Sequence, residues 1–80
     1  MKTSEIKTEA KKIINSIFAT LIKSENKEDW KKAIEYIDKS IFQLENWDRW
    51  EEMFIWINVK SQIIFLFWKK FISKWKIVYF

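Results

Sequence analysis

Eighty residues pass without a single glycine or proline, and this limits the fold more than any other feature of the chain. Glycine supplies the positive-φ positions of tight hairpin turns, and proline presets the first corner of common β-turns. A chain lacking both is badly equipped for a multi-hairpin β fold. Cysteine is absent too, so no disulfide framework can hold a small domain together. Packing must do that alone, and a chain this short buries only about 60–65% of its unfolded surface. The supply of apolar side chains is adequate: they make up 49% of the chain and aromatic residues 19%, which argues against low-hydrophobicity disorder. The expectation is one all-α domain spanning residues 1–80.

Helical spacing fills the chain. Residues 4–23 place Ile6, Ala10, Ile13, Ile14, Ile17, Phe18, Leu21 and Ile22 three and four apart, which predicts a helix with one broad apolar face centred near Ile17. Thr3 or Ser4 is positioned to cap it. "SENKED" at 24–29 reads as a loop. Asn26 is placed there to cap the next helix, with Glu28 and Asp29 opposing the dipole of its first turn. Over 27–44, Trp30, Ile34, Ile37, Ile41 and Leu44 form a second apolar face. These two helices are expected to pair as an antiparallel hairpin.

"ENWDRWEE" at 45–52 marks the next boundary, with Asp48 and Glu51 at capping-box spacing. A third helix then runs over about 48–78 without a breaker. It would measure about 45 Å, against about 30 Å and 27 Å for its partners. Either it overhangs the hairpin, or it breaks near 58–62, where Ser61 offers a cap for a fourth helix. The overhang would carry Phe71, Ile72, Trp75, Val78, Tyr79 and Phe80. The segment "KIVYF" at the end has strand propensity as well.

"DWKKAIEYIDKSI" at 29–41, through Trp30, Ala33, Ile34, Tyr36 and Ile41, resembles the second helix of a tetratricopeptide or microtubule-interacting-and-trafficking hairpin. The resemblance implies a helix packed within a hairpin. It implies no activity, because repeat folds stack several such units and one is present.

The residue inventory excludes much chemistry. Histidine and cysteine, the usual metal ligands, are both missing. The pairs Glu28–Asp29 and Glu51–Glu52 fall at helix starts, and adjacent helix positions do not converge on one point. Ser16, Ser40, Ser61 and Ser73 lie inside helical patterns with no imidazole to activate them. Phosphate-cradling loops need glycine. The expectation is a non-catalytic protein without metal or cofactor.

The start of the chain, "KTSEIKTEAKK", has no apolar segment of signal-peptide type. The best membrane-span candidate, Met53 to Ile72, is interrupted by Asn58, Lys60, Ser61, Gln62, Lys69 and Lys70. Its longest apolar run, Ile63 to Trp68, is far short of the about 20 residues needed to cross a bilayer. These features predict a cytoplasmic protein; peripheral membrane attachment or leaderless secretion is the variant.

Charge and aromatic rings gather at one end. Residues 1–59 hold ten basic and eleven acidic groups, whereas 60–80 hold five lysines and no acid, so the net charge of +4 divides as −1 and +5. On a helical wheel Trp50, Met53, Phe54, Ile57, Ile64, Trp68, Phe71, Ile72 and Trp75 share a face, which is the expected core stripe. Trp56, Val59, Ile63 and Phe67 form a second apolar set beside Lys60, Lys70 and Lys74. Glu51, Asn58, Gln62, Lys69, Ser73 and Lys76 form the polar strip. A two-helix hairpin cannot cover so wide an apolar arc, so something else should meet it.

A protein partner or a second copy suits the tryptophans best. An anionic membrane surface suits interleaved Trp, Phe and Lys. Nucleic acid is the weaker match, because Arg49 is the chain's single arginine. The expected contact residues are Trp56, Phe67, Lys70, Lys74, Trp75 and Phe80. The expected function is that of a small adaptor, inhibitor or assembly subunit, with a membrane-active cationic protein of toxin or bacteriocin type as the alternative.

Overall fold

The structure is a computed structural model and describes residues 2–72. The fold is all-α: those residues are 89% helical, with no strand among them. Helix α1 spans Thr3–Ile17, α2 Ala19–Lys23, α3 Lys27–Asn46 and α4 Trp50–Phe67, and a π-helical turn at Trp68–Ile72 continues α4. Three long helices were expected. The fourth arises from an interruption at Phe18 and not from a break at 58–62, through which α4 runs uninterrupted.

The interruption is local. Phe18 takes φ −106° and ψ 11°, yet its amide still donates to the Ile14 carbonyl and its carbonyl accepts from the Ile22 amide. These two bonds flank the break, where α1 ends and α2 begins. The bend buries the Phe18 ring and leaves Ile17 54% exposed. Ile17 is therefore not at the centre of the core, as the spacing alone suggested; Ala10, Ile14 and Phe18 hold that position. The start of α1 also differs from expectation. Lys2 occupies the N-cap position with no side-chain cap, and Thr8 Oγ1 donates to the Ser4 carbonyl one turn later.

The α2–α3 connection follows the sequence closely. The Asn26 side chain accepts from the Glu28 amide at 2.9 Å, and Glu28 and Asp29 sit in the first turn. Ser24 Oγ accepts from the Asn26 amide and donates to Asp29 Oδ2. The first of these bonds satisfies an amide that a helix start leaves open, and the other two brace the loop. The Trp30 ring, almost wholly buried, donates Nε1–H to the Ser24 carbonyl at 3.0 Å. The loop is thus tied to the core by the indole it precedes.

The α3–α4 turn solves the missing-glycine problem differently. Asp48 adopts φ +54°, the only positive φ among the described residues. Its amide donates to the Glu45 carbonyl, and the Arg49 amide donates to the Leu44 carbonyl. This is a Schellman stop, with aspartate in the left-handed position that glycine usually fills. Asp48 therefore ends α3 and does not cap α4. Arg49 precedes α4 without a side-chain cap and pairs instead with Glu52, on α4.

Helix α4 is the spine. Both α1 and α3 pack along it, more extensively than any other helix pair in contact. One core joins Ala10, Ile14 and Phe18, Trp30 and Ile37, and Ile55, Val59 and Ile63. No polar or charged residue among those described is buried.

Candidate interaction face

The face that α4 turns inward is the reverse of the one its spacing suggested. Val59 and Ile63 are fully buried, Met53 and Ile55 nearly so, and Trp56, Leu66 and Phe67 line the edges of the core. Trp50, Phe54, Ile57, Ile64, Trp68 and Ile72, expected inside, are all among the exposed large apolar residues. Phe65 joins them at 62% exposure. Of the expected stripe, Met53 is buried and Phe71 half-buried.

The reason lies in volume. Interiors are close-packed, and helix separation depends on the side chains at the contact. Ile55, Val59 and Ile63 let α1 and α3 approach, while Phe18 and Trp30 supply the bulky rings from outside α4. A helix presenting Trp50, Phe54 and Trp68 inward would force that space apart. The outer residues follow one another at positions 50, 54, 57, 64, 65, 68 and 72, with Ser61 the polar member of the arc. They form a single stripe along the whole helix.

Beside this stripe runs an open groove of about 560 Å³ between α1 and α4. It is lined by Lys7, Thr8 and Lys11 on one side and by Asn58, Ser61, Gln62, Phe65 and Leu66 on the other. Gln62 Nε2 donates to Asn58 Oδ1 at 2.6 Å, so the amides on the α4 wall are turned toward each other. On the opposite edge Lys60 reaches Asp38 of α3 at 2.6 Å.

The residues predicted as contacts separate into three groups. Trp56 is half-buried and meets the Tyr36 ring edge-on, with centroids 6.1 Å apart, at the α3–α4 seam. Phe67 and Lys70 belong to a different cluster, at the far end of α4. There Phe67, Phe71 and Trp30 pack with centroids 5.2–6.2 Å apart. Lys70 Nζ donates to the Ile22 carbonyl at 3.0 Å, pairs with Glu25 at 3.2 Å and lies 5.8 Å from the Trp30 ring centre. It caps the end of α2 and holds α4 against the α2–α3 loop. Lys74, Trp75 and Phe80 lie outside the described residues, as do most of the expected overhang and the helicity expected for 73–78.

The π-helical turn serves this clasp. Its wider i→i+5 winding turns the chain less per residue, which brings Lys70 and Phe71 round toward Trp30. Trp68 and Ile72 remain on the outer side.

The chemical resources of the chain are otherwise modest. Ser16 and Ser40 donate to carbonyls of their own helices. Among the described residues no group of acidic side chains is arranged to hold a metal ion, and no helix is long and apolar enough to cross a membrane. No protein family, curated protein or solved structure matches this chain.

Proposed function

We propose that this chain is a non-catalytic interaction protein, an adaptor, inhibitor or assembly subunit, and that the outer face of α4 is its working surface. One observation carries the reading: α4 is apolar on both sides, and the bundle covers only one. Monomers seldom leave a contiguous apolar patch larger than a few hundred Å² in water. A helix apolar around most of its circumference is ordinarily buried on several sides. Tryptophan and its aromatic relatives are also the residues that anchor protein interfaces.

The test is a variant in which Phe54 and Phe65 are both changed to Ser. It should keep the parent's helical circular dichroism and melting temperature, because neither ring supports the core, and it should lose association with whatever covers the face. Collapse of the fold, or association that is unchanged, would contradict the proposal.

A lipid surface is the second reading, favoured by the five lysines and absent acids of residues 60–80. It requires much stronger attachment to anionic than to neutral vesicles, weakened by salt.

A further inference from the structure

The sequence of the outer stripe is close to self-complementary when one copy of α4 is reversed against another. About Ser61, Trp50 stands as far before the centre as Ile72 stands after it. Phe54 matches Trp68 and Ile57 matches Phe65 in the same way. Ser61, the smallest side chain on the arc, would face its own copy at the centre, where two helices crossing on an axis come closest. Large rings then lie toward both ends, each opposite a large apolar partner.

Charge selects the same arrangement. Glu51 and Lys69 are eighteen residues apart, close to five turns even with the wider winding at 68–72, and so stand near the same edge of the stripe. Reversal about Ser61 brings Glu51 of one copy within about 3 Å along the axis of Lys69 of the other, and symmetry makes this contact twice. In a parallel two-fold pair the Glu51–Lys69 edges of the two copies would lie on opposite sides of the seam, and this contact would not be made. Antiparallel pairing also opposes the two helix dipoles.

The area is sufficient. Trp50, Phe54, Phe65 and Trp68 are 39–62% exposed, so these rings alone offer roughly 400 Å² per copy if each carries about 150–250 Å². With the three isoleucines and the edges, two copies approach the about 1,000 Å² that a specific interface needs. A membrane fits the charge pattern less well. Asp48, Glu51 and Glu52 outnumber Arg49 at one end of the stripe, where anionic headgroups would repel them.

We propose that the outer face of α4 closes against the same face of a second copy, antiparallel, about a two-fold axis at Ser61. This deepens the reading of α4 as the working surface and rests on it. The isologous contact closes on itself.

Sedimentation of the full chain from low to high micromolar concentration should show a monomer–dimer equilibrium. Glu51→Lys should weaken it about tenfold through the two symmetric contacts, and adding Lys69→Glu should restore most of that loss. The chain has no native cysteine, so orientation can be read by oxidation. Ser61→Cys should form a disulfide-linked dimer, while Trp50→Cys, far from the axis, should not. Linking of both variants would overturn the antiparallel arrangement. A protein monomeric at high micromolar concentration would overturn the second copy as occupant, and vesicle binding by that monomer would give the face to lipid. Either result leaves the interaction face standing if the Phe54→Ser, Phe65→Ser variant still folds; unfolding of that variant would remove the face itself.

Discussion

Asp48 is where the absence of glycine is felt. A left-handed conformation costs an ordinary L-residue roughly 1–2 kcal/mol, and aspartate is among the few that reach it with less strain. Asp48→Gly is therefore expected to raise stability by up to about 1 kcal/mol, and Asp48→Val to lower it by about 1–2 kcal/mol. Urea denaturation midpoints measure both, and a Gly variant less stable than the parent would contradict the Schellman assignment. A second pair of residues tests the core. Ile37 is fully buried, so Ile37→Ala should cost about 2–5 kcal/mol. Ile17 lies just before the bend at Phe18 and is exposed, and Ile17→Ala should stay within about 0.5 kcal/mol. Equal losses at the two sites would mean that α1 continues unbent. The spacing of apolar residues could not have separated Ile17 from Phe18, since both fit one broad helical face. Only the 14-to-18 hydrogen bond and the bend that follows it decide which side chain enters.

At the scale of elements, legibility tracked amphipathicity. Helix α3 has one apolar face, a capping asparagine and acidic residues in its first turn, and its N-terminus was readable to the residue. Helix α4 carries apolar residues on both sides, so periodicity gave its existence but not its rotation. Its inner face was fixed by what the neighbouring helices bring, the Phe18 and Trp30 rings, and no pattern within α4 records that. The clasp at its end was equally invisible, because Lys70 reads as one more basic residue in a lysine-rich segment. Its partners, Ile22, Glu25 and Trp30, are remote in sequence. Lys70→Met retains the stem and removes the charge. It is expected to cost about 1–2 kcal/mol, as for other hydrogen bonds to charged groups at partly exposed sites. Hydrogen exchange should quicken at 19–25 in that variant. Unchanged exchange there would show that the clasp does not hold α2.

For the molecule as a whole, the governing fact is a mismatch between apolar surface and the helices available to cover it. The sequence announced the surplus as an apolar arc too wide for two helices to cover, and among the described residues it runs along the side of α4. That position makes residues 50–72 the segment whose exposure should respond to a partner. Hydroxyl-radical footprinting read by mass spectrometry measures this most directly, residue by residue. In dilute protein, Phe54 and Phe65 should be modified readily while Val59, Ile63 and Trp30 stay protected, and raising the concentration should protect Phe54 and Phe65 together with Trp50 and Trp68. If Phe54 and Phe65 are as protected as Ile63 in the dilute sample, the rings face the core or are covered by the chain itself, and the account of α4 as a helix with one bare apolar face is wrong.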